Sequence, residues 1–217
     1  MGSDVPIGGS AEYGGIRKTR VLAIYGSPRQ GGSTDTLLDC FLHALAQGPF
    51  DSERIVLRDL DILPCTACDG CRKSGICILR DDMTALYEKL TTYERIVCAF
   101  PVFFMGPPAI AKAFIDRTQA LWIRRFVRGE KARSSNGTER KGFLLSACGY
   151  KTRDREKEKR FFSCSVTIVR AFFSACGVRY DGSLLFSGIE GLNDIEKDTS
   201  IKEAVTEAGK RWISHPR

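Results

Sequence analysis

Only two histidines occur in the sequence, His43 and His215, and both stand isolated. No Ser-His-Asp triad or histidine metal site can be assembled from them, and no general acid or base is evident elsewhere, so no catalytic side chain is assigned. Long apolar runs are missing too. None approaches the roughly eighteen residues that cross a bilayer, so a soluble protein without membrane contact is expected. Residues 1–16 lack the positive n-region and apolar h-region of a leader. They read as part of a flexible tail over 1–17, and a cytoplasmic location follows as an expectation. There is no internal repeat.

Two familiar phosphate signatures are absent as well, in the stretch that organises the chain, Arg20 to Thr36 (RVLAIYGSPRQGGSTDT). Gly26 and Gly31 are spaced like the start of a Walker A loop, but Gly32 stands where its lysine belongs, which argues against an NTPase. Ser27 to Gln30 separate the first glycine from the next, so the G-x-G-x-x-G dinucleotide fingerprint is missing.

What is present is a buried strand, Val21 to Tyr25, a turn rich in hydroxyls and glycine, and a helix over Asp35–Ala46. Backbone N–H groups and the positive end of a helix dipole meet at that turn, so it is built to hold an anion, and a single terminal phosphate fits best. The plainer alternative is an ordinary βα turn with Ser33 as N-cap.

The 217 residues suffice for one α/β domain, expected over 18–217. Further strands are predicted at Arg54–Arg58, Ile96–Phe100, Gly142–Ala147 and Val178–Phe186. Helices are predicted from Asp81-Asp82 to about Thr91, Pro108–Arg125, Glu156–Cys176 and Ile195–Ile213, with a polar loop over 127–141. Alternating strands and helices mean right-handed crossovers, a five-stranded parallel sheet and a flavodoxin-like three-layer sandwich. The loops at 26–34, 101–106 and 147–150 would share the carboxyl edge of that sheet, where ligands bind.

Nine cysteines, an odd number, point to metal or redox chemistry in a reducing compartment. Cys65, Cys68, Cys71 and Cys77 are spaced C-x2-C-x2-C-x5-C within a loop at 64–80, and Gly70 and Gly75 allow it to bend sharply. Four thiolates so placed suit a [4Fe–4S] cluster better than the paired knuckles of zinc, and unmetallated thiols are the remaining alternative. Of the others, Cys40, Cys98, Cys164 and Cys176 read as packing, while Cys148 falls on a crest loop.

The net charge of +7 is concentrated. Between Arg124 and Arg160 there are thirteen Lys/Arg against five Asp/Glu. An acidic partner, a 2′-phosphate or nucleic acid could meet such a surface, although no recognition-helix or RNA-binding signature accompanies it, so nucleic acid is not expected. A solvated loop and helix face is the bland reading.

The segments GSPRQGGSTDTLL (26–38), CTACDGCRKSGICILRDDM (65–83) and PVFFMGPPAIAKAFIDR (101–117) resemble the iron–sulfur flavoprotein branch of the NADPH-dependent FMN reductase family. That resemblance implies FMN at the crest of a flavodoxin-like sheet. Ser27, Arg29, Gly32, Ser33 and Thr34 would hold its phosphate, with Ser33 where the family often has asparagine. Pro101, Val102, Phe103, Phe104, Met105 and Gly106 would run along the ring and ribityl chain, with Phe103 where tyrosine is common. Ser146, Cys148, Gly149 and Tyr150 would form a third side. Lys112, Asp116 and Arg117 match a recurrent helix motif read as structural or interfacial.

The same resemblance implies a [4Fe–4S] cluster on Cys65, Cys68, Cys71 and Cys77, homodimers or homotetramers, and electrons passing from a ferredoxin-like donor to a small acceptor. Its alternative is a cluster-free NAD(P)H-dependent FMN, quinone or azo-type reductase with the same flavin site.

Overall fold

The computed structural model describes residues 12–13, 16–131, 138–191 and 194–214. Five strands, β1 (Thr19–Tyr25), β2 (Phe50–Val56), β3 (Arg95–Pro101), β4 (Lys141–Cys148) and β5 (Arg179–Ser187), form one parallel sheet in the order β2-β1-β3-β4-β5. This is the flavodoxin-like order, with its switch point between β1 and β3.

The helices are α1 (Ser33–Leu45), α2 (Gly70–Ser74), α3 (Met83–Thr92), α4 (Ala109–Arg117), α5 (Gln119–Trp122), α6 (Arg155–Ala175), α7 (Asp194–Lys197) and α8 (Thr199–Ser214). The pleat sorts the central strands into two cores. Val21, Ala23 and Tyr25 pack with Leu37, Phe41 and Leu45 of α1 and Val205 and Trp212 of α8. Leu22 and Ile24 join Met83, Leu86 and Leu90 of α3, Phe114 of α4 and Phe172 and Phe173 of α6 on the other face. Each of these large side chains contributes about 1.5–3 kcal/mol by leaving water, and a strand feeding both cores must be apolar throughout. Close approach of sheet and helix also needs Gly142, where a Cβ would stand 2.6 Å from the Phe173 ring.

Several expected boundaries move. The second strand begins at Phe50, pairs from Thr19↔Phe50 onward, and ends at Val56, where a 3-10 turn (Leu57–Asp59) replaces the expected continuation. Its first residues, FDSE, lie on a sheet edge, so an apolar run gave no sign of them. The helix expected over 108–125 is interrupted at Thr118, whose Oγ1 donates to the Ile115 carbonyl at 2.6 Å and competes with the helical ladder. After α5 the chain makes a π turn over Ile123–Val127. The last predicted helix divides at Asp198, whose carboxylate accepts from the Ser200 and Ile201 N–H groups and caps α8. Part of the predicted 127–141 loop falls outside the described residues.

At the N-terminus, Glu12–Tyr13 and Ile16–Arg17 form a small antiparallel ribbon. Arg17 is bound to Glu94 at 2.6 Å, so the end of the expected tail is anchored to the sheet. Among the described residues no helix is long and apolar enough to cross a membrane.

Candidate functional site

Three crest loops and a fourth that follows β5 enclose a cleft of about 540 Å³ at the carboxyl edge of the sheet. The first loop leaves β1 at Gly26, whose N–H donates to the Ala99 carbonyl at 2.7 Å. A Cβ at Gly26 would meet Phe100 Cβ at 3.0 Å and the Ala99 carbonyl at 3.2 Å, so only glycine lets the loop turn over the switch point. Gly31 takes φ +64, and Gly32 is the N-cap of α1, where the plainer alternative of an ordinary βα turn would have used Ser33. Gly32 has no side chain to cap with, so no side chain caps the first turn of α1; the Asp35 N–H returns to the Gly32 carbonyl at 2.9 Å, and Ser33 and Thr34 of that turn line the cleft.

The loop is braced from behind. Asp35 accepts from the Gly31 N–H at 3.1 Å and pairs with Arg58 at 3.0 Å, and Arg58 also donates to the Ser27 carbonyl at 3.3 Å. Burial raises the Asp35 carboxyl above its ordinary range, against the opposing pull of Arg58. Ser27 turns its hydroxyl onto its own loop, accepting from the Arg29 N–H at 3.1 Å. Ser33 donates to the Gly191 carbonyl at 3.0 Å, tying the first loop to the fourth.

The second loop is a tight turn in which Phe103 and Gly106 exchange backbone hydrogen bonds at 2.8 and 3.0 Å. Phe104 (φ +48) and Met105 (φ +66) occupy the left-handed region at its tip. That geometry turns Phe104 fully into solvent. The Met105 carbonyl is held by the Ser165 hydroxyl at 3.2 Å.

Ser27, Arg29, Gly32, Ser33, Thr34, Pro101, Val102, Phe103, Cys148 and Gly149 all line the cleft. Phe104, Met105, Gly106, Ser146 and Tyr150 do not. Ser146 is fully buried, and its hydroxyl ties β4 to β3 through the Phe100 carbonyl at 2.7 Å. Tyr150 stacks on Phe161, ring centroids 4.8 Å apart. Cys148 is buried at the cleft wall, and burial pushes its thiol up, so it stays protonated near neutrality.

Ile189 and Glu190 line the same cleft and were missed by the sequence reading. Ile189 N–H donates to the Cys148 carbonyl at 2.8 Å, and Asp194 accepts from the Glu190 and Gly191 N–H groups at 3.0 and 2.7 Å. The signal was available: the fifth parallel strand must end on the same edge as the other four.

The four clustered cysteines border a separate cavity of about 310 Å³, whose far wall includes Arg117, Ala120 and Ile123. Left-handed residues Ala67 (φ +53), Asp69 (φ +58) and Gly75 (φ +76) fold the loop back on itself. At Gly70 a Cβ would lie 2.5 Å from the Ile78 Cγ2 methyl, so a larger residue there would have to displace the Ile78 side chain. Burial raises the Cys71 thiol, with its neighbours Cys77, Cys65 and Cys68 adding to this against the pull of a backbone hydrogen bond. All four are free thiols. Among the described residues no three Cys, His, Asp or Glu side chains close on a single metal ion.

Where the loop starts and ends it is clamped. Asp81 accepts from the Leu63 N–H at 3.0 Å, and Arg117 donates to the Leu63 carbonyl at 2.9 Å. Asp81 also accepts from the Met83 N–H at 3.1 Å, which fulfils its expected place at the start of α3.

A doubly wound parallel sheet with a glycine- and hydroxyl-rich loop at its switch point places the fold in the flavodoxin-like class. Residues 19–150 match the NADPH-dependent FMN reductase family, and the chain belongs to that family. It is a flavin-dependent oxidoreductase. It is 26% identical over 192 residues to an iron–sulfur flavoprotein of Methanosarcina thermophila, covering 88% of this chain and 92% of that one. An iron–sulfur flavoprotein of Methanocaldococcus jannaschii is 35% identical over 104 residues, 48% of this chain and 54% of the relative. Among solved structures, an FMN-dependent NADH-azoreductase from Bacillus anthracis, in complex with FMN, superposes with TM-score 0.66 at 15% identity, covering 90% of this chain and all of that one.

Proposed function

We propose that residues 18–217 act as one flavodoxin-like domain that binds FMN in the crest cleft, takes reducing equivalents from NAD(P)H and delivers them to a small acceptor. The observation that carries this is the uncapped first turn of α1 opening into a cleft of about 540 Å³ at the switch point. Those donors suit a single terminal phosphate. The Pro101–Phe103 and Ala147–Gly149 segments supply the apolar walls that a ring system needs. When bound, FMN supplies reversible two-electron chemistry.

In this reading Ser27, Arg29, Gly32, Ser33 and Thr34 hold the phosphate, and Pro101, Val102, Phe103, Cys148 and Gly149 flank the flavin. Anaerobic mixing of the FMN-loaded protein with NADPH tests it: rapid loss of flavin absorbance supports the reading, and an unchanged spectrum over minutes contradicts it.

A second reading rests on a different observation, the four thiols gathered on one cavity of about 310 Å³. A lone zinc ion needs sulfurs within about 2.3 Å of one centre, a spacing the described residues do not provide. A cubane is wider, and Cys65, Cys68, Cys71 and Cys77 could each meet one corner of a [4Fe–4S] cluster, which would supply single-electron transfer. The iron–sulfur flavoprotein relatives support this reading. A ferredoxin-like donor would then replace or accompany NAD(P)H. Iron and sulfide analysis of anaerobically purified protein separates the two: about four of each per chain supports the cluster, and FMN without iron supports the direct reductase.

The solvent-directed Phe104, with Met105 and Phe103 beside it, favours a homodimer or homotetramer joined near the crest. A cytoplasmic location belongs to the same proposal.

A further inference from the structure

A third cleft, of about 350 Å³, lies between α3, the π turn after α5 and the end of α6, and shares no lining residue with the crest cleft. Its charge is unbalanced. Among the described residues, Arg80, Arg124, Arg125 and Lys131 line it against Glu88 and Glu130, four cations against two carboxylates.

The carboxylates are in short supply even by that count, because Glu130 is shared. It accepts from Arg124 at 2.8 Å and from Arg128, outside the cleft, at 3.3 Å. Arg80 spends one hydrogen bond on the Cys77 carbonyl at 2.9 Å. The Arg125 Nε is buried and has no hydrogen-bond partner. Behind the wall, Arg140 is 4% exposed and directs its guanidinium to the backbone carbonyls of Tyr93, Leu90 and Cys176, none of them a carboxylate. Burial lowers the Arg140 guanidinium from its ordinary value against the opposing pull of Cys176 and Glu94, and Arg125 adds a smaller push in the same direction as burial.

The rest of the lining mixes Thr84, Thr91 and Thr92 with apolar and aromatic side chains, among them Ile76, Tyr87 and Leu121, and the Thr91 and Thr92 hydroxyls are turned back onto carbonyls of their own helix. A purely inorganic ion would leave those side chains uncovered, and a neutral ligand would leave the arginines unpaired.

We propose that this cleft is a second binding site, separate from the flavin cleft, for a small organic anion bearing a phosphate ester or two or more carboxylates. Arg125 and Lys131 bind the charged groups, and Ile76, Tyr87 and Leu121 cover the organic body. Cys77 lines both this cleft and the cysteine cavity, so an occupant rests against the cysteine loop and shields that thiol. The site stands whether or not the loop carries a cluster.

The test uses full-length protein saturated with FMN, so that phosphate cannot enter the crest cleft, at low ionic strength. Phenyl phosphate and citrate are titrated calorimetrically as probes. One saturable site per chain is expected, weakened at least about tenfold in Arg125→Gln/Lys131→Gln, the loss expected when charge-assisted hydrogen bonds are removed. Lys131 is exposed, so Lys131→Gln alone keeps the test valid if the double variant misfolds. Binding of only one probe upholds the site and assigns its class.

In metal-free protein, also FMN-saturated, the bound probe should slow alkylation of Cys77, read by peptide mass spectrometry, with Cys164 unaffected. Absence of saturable binding below about 10 mM, an affinity of only a few kcal/mol, would overturn the proposal. So would binding that Lys131→Gln and the double variant leave unchanged, or binding that fails to protect Cys77.

Discussion

Arg117 and Asp81 form a two-pronged ion pair, 2.5 and 3.1 Å, in which the arginine side chain is wholly buried and the aspartate nearly so. Together they hold both backbone polar groups of Leu63, so the helix that leaves the crest loop also closes the base of the cysteine loop. Removing one partner strands an uncompensated charge. Arg117→Met should therefore lower stability by about 3–5 kcal/mol, read from urea midpoints. Asp81→Asn keeps much of the hydrogen bonding and should cost less, while speeding alkylation of Cys71 as the loop loosens.

The same pair gives the molecule an acid limit. Burial alone would raise the Asp81 carboxyl, but hydrogen bonds from Arg117 and the Leu63 N–H hold it below the usual carboxylate range. A carboxyl depressed on folding stabilises above its unfolded value and loses that contribution as pH falls through the folded one. Stability should thus fall below about pH 4, and Asp81→Asn should flatten that fall. Urea midpoints of both proteins between neutral pH and pH 3 check this.

The tip of the second crest loop is strained, with two non-glycine residues in the left-handed region. Phe104→Asn with Met105→Gly fits the residue preferences of such a turn, and should raise stability by about 1–2 kcal/mol in thermal melts. If Phe104 also joins subunits, the same variant should shift sedimentation toward monomer.

Ser33 ties the loop after β1 to the loop after β5 through a single hydrogen bond to Gly191. Ser33→Ala should weaken FMN binding about three- to tenfold, the worth of one hydrogen bond, with little change in melting temperature. Fluorescence titration of the apoprotein measures it.

The strands were legible because those facing two cores are apolar at every position, as in Val21–Tyr25 and Ile96–Phe100. Edge strand β2 was misplaced because its first half meets water, and the 108–125 helix was overextended because Thr118 reads as an ordinary helical residue. That the loop from Gly26 to Thr34 leads from a buried strand into a helix at the crest could be read directly, since glycine, hydroxyls and a helix start are adjacent in sequence. Ser146 and Tyr150 could not be placed the same way: the pleat turns one into the sheet, and a stacking partner eleven residues on holds the other. Arg117 and Asp81 are thirty-six residues apart, and only the fold brings them to Leu63.

The central claim is that the uncapped turn at Gly32 grips a phosphate. Parallel titration of the apoprotein with FMN and riboflavin tests it most directly, because the two ligands differ only in that group. Charge-assisted hydrogen bonds to the phosphate should make FMN bind about a hundredfold more tightly. Equal affinities would show that the loop holds no phosphate and would contradict the account.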